Sequence, residues 1–202
     1  MPKDGNKTRL KILDEATKLV FKNGFAGTTI DHILERTEIT KGAFFYHFKT
    51  KQVLAEALVQ HYADEDMSHL NVALKETETL KDPKSRLLQF VQLFIDMMLN
   101  IKEPPSCLYA SYTYESNQFD KKTLDIVSGS LYHWRNTFTE LLTSVLSDYK
   151  MVMKADIQSL ADQFTVIFEG GYVVSKALNE AELTAKQLQH FKNYLELLFE
   201  RK

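Results

Sequence analysis

Apolar residues recur mostly three and four positions apart along this chain, and they seldom alternate with polar ones. This spacing is typical of amphipathic helices, in which one face packs against a core. Only 7 Gly and 4 Pro occur in 202 residues, fewer than strands joined by tight turns would use. The pattern therefore predicts an all-α protein with about nine helices.

The first fifty residues predict three helices. The first spans residues 7–23, and the segment GTTIDHILERT forms a short second helix that is capped by Thr28 or Thr29. After a tight turn, Thr40 caps a third helix over residues 41–48. Two short helices joined by a turn of a few residues have the spacing of a helix-turn-helix.

The rest of the chain predicts longer helices. Proline residues and short polar segments separate them, and no repeat or long flexible linker interrupts the pattern. The predicted helices cover residues 51–79, an apolar segment from 84 to about 101, 107–115, a long segment after 120, 154–178 and 184–199. We therefore divide the chain into an N-terminal helix-turn-helix domain, residues 1–51, and a larger helical domain, residues 52–202.

The passage TKGAFFYHFKTK, residues 40–51, contains the predicted third helix. Phe44 and Phe48 lie four residues apart, so they share one face and belong to the core. A helix this short cannot bury every side, and Phe45 and Tyr46 lie on other faces. Small residues near the helix start allow a close approach to a surface, and lysines beside aromatic rings suit phosphates and base edges. The passage predicts a helix that reads the major groove of DNA.

Charge is distributed unevenly between the two predicted domains. Residues 1–51 contain ten Lys and Arg against six Asp and Glu, a net charge of +4, whereas residues 52–202 carry −6. A basic module on an acidic body favours contact with a polyanion through one end.

Composition also indicates the compartment. The single cysteine, Cys107, excludes an intramolecular disulfide and a cysteine metal cluster. No stretch approaches the roughly 20 apolar residues of a membrane span. Because the segment MPKDGNKTRL also lacks an apolar secretion signal, we expect a cytoplasmic protein without membrane contact.

The helix-turn-helix segment resembles the tetracycline-repressor (TetR) family of bacterial transcriptional regulators. The stretch ILDEATKLVFKNGFAGTTIDHILERTEITKGAFFYHFKTKQVL follows the family pattern without a gap, and beyond residue 55 the likeness is architectural. The family often has tyrosine where this chain has Phe45, so one phosphate-binding hydroxyl is absent here. The resemblance implies contacts with double-stranded operator DNA from Thr29, Thr40, Lys41, Gly42, Ala43, Phe45, Tyr46, His47 and Lys51.

The resemblance also implies a homodimer. Long apolar faces on the last two predicted helices are suited to a four-helix bundle between two subunits. The alternative is that these faces pack within one chain. We assign to the dimer interface Phe164, Phe168, Gly171, Phe191, Leu195 and Leu198.

A small-molecule effector is the third partner that the resemblance implies. Aromatic and methionine side chains in the second domain suit an apolar or aromatic effector, although most of them would be core residues on a purely structural interpretation. Cys107 is alternatively a redox sensor, which its apolar neighbours disfavour. The candidate ligand-binding residues are Phe90, Phe94, Met97, Met98, Cys107, Tyr112, Glu115, His133, Trp134, Phe138 and Phe168.

Catalytic motifs are not found in the sequence, which contains no phosphate-binding glycine loop, HExxH or nucleophile elbow. His61 and His69, with acidic residues between them, would suit a metal, but a solvated polar face explains them better. We therefore expect no enzyme, no cofactor and no metal. The sequence predicts a ligand-responsive repressor; the alternatives are an activator, a corepressor-dependent regulator, or a helical protein-interaction or small-molecule-binding protein without an operator.

Overall fold

The structure of the chain, a computed structural model, describes the backbone of residues 3–202 and the side chains from residue 5. Within these residues nine α-helices form, which confirms the all-α prediction. None of them is long and apolar enough to cross a membrane. The helices are α1 (Lys3–Asn23), α2 (Ile30–Thr37), α3 (Lys41–His47), α4 (Lys51–Thr77), α5 (Pro83–Leu99), α6 (Leu108–Tyr114), α7 (Lys121–Val145), α8 (Ile157–Leu178) and α9 (Leu183–Leu198).

Side-chain caps explain where several helices begin. The hydroxyls of Thr29 and Thr40 accept hydrogen bonds from the backbone N–H groups three residues later, at the starts of α2 and α3. The carboxylates of Asp82 and Asp156 do the same for α5 and α8. Each cap satisfies a backbone donor that the first turn of a helix leaves unpaired, and so fixes the helix start.

Two short strands are the elements that the periodicity did not predict. β1 (Tyr149–Met151) pairs antiparallel with β2 (Phe199–Arg201), with Lys150 opposite Glu200. Their side chains are 2.9 Å apart at the closest N–O distance. Three residues are too few to show an alternating pattern, so periodicity could not predict the pair.

The chain folds into two compact units. The first comprises Met1–Asp66 and Cys107–Ser130, and the second Met67–Ser106 and Leu131–Lys202. Both α4 and α7 contribute residues to each unit. Our division at residue 51 concerns function and stays a prediction, but the compact unit that contains the helix-turn-helix also includes α6 and the first part of α7.

The core of the second unit is aromatic. Phe138 and Phe164 are stacked with ring centroids 4.6 Å apart, and Phe90 and Phe94 pack against them from α5. Phe191 from α9 completes the cluster. Helices α5, α7, α8 and α9 thus share one hydrophobic core.

The residues that we assigned to the dimer interface lie mostly inside the second unit, and their part in a dimer stays a prediction. The side chains of Phe164, Phe191, Leu195 and Leu198 are each at most 3% exposed there. Gly171 is buried against Thr184: an added Cβ would lie 2.7 Å from the Thr184 hydroxyl oxygen, so the glycine permits close packing of α8 on α9. Phe168 is half-buried in the same core.

Helix α8 nevertheless has an apolar face in contact with solvent. Its members recur at helical spacing and are 43–64% exposed. We call this set the α8 stripe: Val166, Val173, Val174 and Leu178. Buried and exposed residues recur at helical spacing along α8, which shows that one side of the helix packs within the unit and the other does not.

Candidate nucleic-acid interface

The turn between α2 and α3 is formed by a residue in the left-handed conformation. Glu38 ends α2 with φ 56° and ψ 26°, and its N–H bonds to the carbonyl of Leu34. The ammonium of Lys11 on α1 donates to the carbonyl of Thr37 at 2.7 Å and so ties the end of α2 to α1. The turn therefore has a fixed geometry that directs α3.

Buried aromatic residues anchor α3, as the sequence predicted. Phe44 and Phe48 are 0% and 1% exposed, and their ring centroids are 5.9 Å apart. The guanidinium of Arg9 lies 5.5 Å from the centroid of Phe48. With one face of α3 held in the core, the remaining faces have a defined orientation.

The outer face of α3 presents basic, small and aromatic residues. Lys41 and Gly42 are exposed, and Tyr46 exposes 76% of its surface. A Cβ added to Gly42 would meet only the Thr40 hydroxyl oxygen, at 3.9 Å, so internal packing does not require a glycine there. A small residue on an open surface is what close approach by an external backbone needs.

Three other predicted contact residues on α3 are less accessible. Ala43 and His47 are partly exposed. Phe45 is half-buried, with its ring edge-on to Phe44 at 5.4 Å. Tyr46 is thus the aromatic residue of α3 that projects furthest into solvent.

The start of α2 lies exposed on the same unit. Thr29 accepts from the backbone N–H of His32 at 3.2 Å, and its own backbone N–H donates to Nδ1 of His32 at 3.4 Å, a capping box. The hydroxyl of Thr29 retains its own proton as a donor. Such a hydroxyl at a helix N-terminus suits a phosphate oxygen.

Lys51 is partly buried and has protein partners. Its ammonium donates to the carbonyl of Phe25 at 2.8 Å and lies 4.5 Å from the centroid of the Phe25 ring. Burial lowers the pKa of Lys51, an effect that the carboxylate of Glu115 opposes. A phosphate contact by Lys51 remains a prediction, and it would use the donors that Phe25 does not engage.

Two polar residues that we assigned to an effector have structural partners instead. The hydroxyl of Tyr112, fully buried, donates to the carbonyl of Ala55 at 2.8 Å, and burial raises its pKa far above the usual range. The carboxylate of Glu115 accepts from the backbone N–H groups of Phe25 and Ala26. The polar groups of both residues are thus engaged within the protein, and contact of either with an effector stays a prediction.

The remaining effector candidates are divided between the two units. Cys107 is buried in the first unit, and His133 is exposed on α7 in the second. Six others contribute to the aromatic core of the second unit or pack against it: Phe90, Phe94, Met97, Met98, Trp134 and Phe138. Phe168 packs against the same cluster, edge-on to Phe94 at 5.9 Å. An effector site that is formed by the aromatic candidates and the two methionines belongs to the second unit.

The histidines of α4 were the metal candidates. His61 lies 3.2 Å from a carboxylate oxygen of Asp14 and 3.5 Å from one of Glu65. Across the residues that the structure describes, no group of three His, Cys, Asp or Glu residues is placed to hold a metal ion.

Family models match both parts of the chain. One, described as bacterial regulatory proteins of the tetR family, matches residues 12–58. A second, described as a tetracyclin repressor-like C-terminal domain, matches residues 83–191, more than half of the chain.

Curated relatives match less than half of the chain. The regulator TtgR of Pseudomonas putida is 30% identical over 96 residues, 46% of this chain and 46% of that protein. QacR of Staphylococcus aureus is 48% identical over 44 residues, 22% of this chain and 23% of that protein. YerO of Bacillus subtilis is 34% identical over 82 residues, 41% of this chain and 28% of that protein. The chain spans less than half the length of these curated relatives.

Solved structures match the whole fold. A TetR transcriptional regulator from Chloroflexus aurantiacus superposes with a TM-score of 0.81 at 23% identity, covering 100% of both chains. A TetR-family regulator from Agrobacterium tumefaciens gives 0.79 at 17% identity, covering 98% of this chain and 100% of that one. At these identities the likeness concerns the fold.

Proposed function

Because this chain belongs to the TetR family of bacterial transcriptional regulators, we propose that it is a repressor that binds a palindromic operator as a homodimer. The observation that carries the proposal is the outer face of α3, where Lys41, Gly42 and Tyr46 are exposed over a buried aromatic base. A repressor that binds operator DNA would act in the bacterial cytoplasm.

In this proposal α3 enters the major groove and the residues around it hold the backbone. Gly42 and Ala43 approach the base edges, while Thr29, Thr40 and Lys41 contact phosphates. Tyr46, with its free hydroxyl and exposed ring, reaches the backbone or a base edge. His47 and Phe45 contribute at the margin of the contact, because each is partly covered.

The homodimer would form through the α8 stripe rather than the residues that the sequence suggested. An exposed apolar face at helical spacing is suited to packing against its symmetry mate in a four-helix arrangement. Two α3 helices would then be about 34–36 Å apart, the spacing of successive major grooves on one side of DNA.

The effector would bind within the second unit and alter that spacing. Aromatic rings and the polarisable sulfur of Met98, which accepts from the Tyr172 hydroxyl at 3.7 Å, suit an apolar or aromatic molecule. It would release the operator only through its higher affinity for the dimer with the wrong spacing. Helix α4, which contributes to both units, is our candidate for the connecting element.

Fluorescence anisotropy on labelled DNA tests the proposal directly. Fragments that flank the protein's own gene are titrated with the purified protein in excess random DNA, at several salt concentrations. We expect saturable binding to one fragment that weakens steeply with salt, because phosphate contacts release counterions. Equal affinity for every fragment from a folded dimer would favour the rival class, a helical binding protein without an operator.

A further inference from the structure

The loop between α1 and α2 is held by two side chains of opposite charge. Glu115, which follows α6, accepts from the N–H of Phe25 through Oε1 and from the N–H of Ala26 through Oε2, both at 2.7 Å. Lys51 donates to the carbonyl of Phe25 at 2.8 Å. The carboxylate therefore holds the N–H side of this loop and the ammonium its carbonyl side, an arrangement we call the Glu115–Lys51 clamp.

The backbone of the loop is adapted to the clamp. Gly24 has φ +72°, which aligns the next two N–H groups with one carboxylate. A Cβ on Gly24 would lie 2.7 Å from Oε1 of Glu115. A carboxylate that accepts two backbone N–H groups forms charge-assisted hydrogen bonds, which are stronger than neutral ones.

Aromatic packing holds Glu115 in place. Tyr112 and Phe119, on either side of it in sequence, are stacked with centroids 4.0 Å apart and planes 3° from parallel. The ring of Phe25 lies 4.8 Å from Phe119 and 5.8 Å from Tyr112. These rings already bury the apolar surface. The clamp therefore adds little buried area, and its contribution is to orient the loop.

The clamped loop leads directly into the helix-turn-helix. The carbonyl of Phe25 also accepts from the N–H of Thr28 at 3.2 Å, and the Thr28 hydroxyl donates to the carbonyl of Gly24 at 2.8 Å. Thr29, the next residue, caps α2. The position of Phe25 therefore sets where α2 begins, and with it the support of α3.

We propose that Glu115 is a positioning residue for DNA binding: it touches no DNA but keeps the start of α2 in the binding-competent orientation. The inference rests on the proposed function. Without the clamp, a smaller fraction of molecules would have the competent orientation. The apparent affinity for DNA would fall in proportion to that fraction. Electrostatics alone predicts the opposite, because removing a negative charge beside a DNA-binding surface strengthens binding to a polyanion.

The test compares Glu115→Gln with Glu103→Gln, which removes the same charge from an exposed residue between α5 and α6. In Glu115→Gln the side chain retains one carbonyl oxygen but presents an NH₂ group to the second backbone N–H. We expect Glu115→Gln to bind operator about tenfold more weakly, the effect of one lost hydrogen bond to a charged group. Its salt slope should equal that of the unmodified protein because no phosphate contact is lost. Glu103→Gln should bind at least as tightly as the unmodified protein.

Amide exchange supplies a readout that does not depend on DNA. The N–H groups of Phe25 and Ala26 should exchange faster in Glu115→Gln, while amides in α4 keep their protection. If those two amides stay protected, the clamp is not what holds the loop, whatever the DNA assay shows. If the unmodified protein binds specifically and Glu115→Gln binds as tightly as Glu103→Gln, the positioning role is wrong and the proposed function stands.

A second variant covers the case in which Glu115→Gln unfolds the first unit. Lys51→Gln loosens the same loop from its carbonyl side, and its melting curve shows whether the unit stays folded. Because both side chains hold one loop, the N–H groups of Phe25 and Ala26 should exchange faster in Lys51→Gln as well, a readout that a phosphate contact of Lys51 does not affect. Unchanged exchange of those two amides in a folded Lys51→Gln protein would overturn the clamp.

Discussion

Tyr46 exposes 76% of its surface on a helix whose neighbouring aromatic residues, Phe44 and Phe48, are buried. This contrast between adjacent residues is the main evidence at the residue scale. A ring so far exposed buries little apolar surface and so contributes little to the stability of the chain. Its place on the outer face of α3 is why we propose a role for it in recognition.

Removing the exposed groups of α3 should affect binding and leave stability unchanged. We expect Tyr46→Ala and Lys41→Ala each to weaken operator binding about tenfold, and Lys41→Ala to reduce the salt slope by about 1. Melting temperatures should stay close to that of the unmodified protein, because both residues are exposed. Tyr132→Ala and Lys102→Ala, at exposed positions of the second unit, are the matched controls. Unchanged operator affinity in the α3 variants would contradict our contact assignment.

Phe44 should behave in the opposite way. Its ring is 0% exposed and contacts Phe45 and Phe48, so Phe44→Ala leaves a cavity in the first unit. We expect a loss of about 3–5 kcal/mol in the free energy of unfolding, measured by chemical denaturation. A denaturation curve that matches the unmodified protein would show that the ring is not part of the core.

At the scale of elements, caps and helical periodicity account for what the sequence could predict. Thr29 and Thr40 mark the starts of α2 and α3, and the spacing of apolar residues marks all nine helices. Periodicity shows that a face is apolar, but it does not show what covers that face. The apolar residues of α8 and α9 therefore suggested a subunit interface, whereas α5 and α7 of the same chain cover most of them.

The contacts of Glu115 have no signal in the sequence. Its partners, Phe25 and Ala26, lie 90 and 89 residues away along the chain. A polar residue beside three tyrosines resembles a ligand-binding group, and only the fold shows that its carboxylate accepts two backbone N–H groups. Long-range contacts between a side chain and the backbone leave no pattern in one sequence.

The cap of α5 predicts a pH dependence. Hydrogen bonds from the hydroxyl and N–H of Ser85, and from the hydroxyl of Tyr149, hold the pKa of Asp82 below its usual value. A lowered folded pKa means that the charged cap stabilises the protein above the unfolded pKa, about 3.9, and that this stability is lost as the pH falls through the folded pKa.

Asp82→Ala tests that cap. We expect it to lower the free energy of unfolding by about 0.5–2 kcal/mol at pH 7, the usual cost of losing an N-cap. The difference from the unmodified protein should shrink as the pH falls from 5 towards 3, measured by urea denaturation. A difference that stays constant over this range would mean that the charge of Asp82 contributes nothing.

At the scale of the whole molecule, the account requires a dimer. The α8 stripe is the exposed apolar face that would form it, so Val173→Glu should convert dimers to monomers in light scattering after size exclusion. Val152→Glu introduces the same charge at a residue that is 50% exposed beyond β1, and it should leave the dimer intact. A Val173→Glu protein that remains dimeric would place the interface elsewhere.

Operator affinity should follow the oligomeric state. A monomeric Val173→Glu protein presents one α3 helix instead of two, so it loses the second half-site and most of its specific affinity. Its affinity for random DNA should change far less.

The central claim is that α3 reads a specific DNA sequence, and selection from a pool of random duplexes tests it most directly. The account predicts enrichment of one palindromic sequence whose half-sites are one helical turn, or a multiple of it, apart. The same selection with Tyr46→Ala should enrich that sequence less. A folded dimeric protein that leaves the pool unenriched after repeated rounds would contradict the claim.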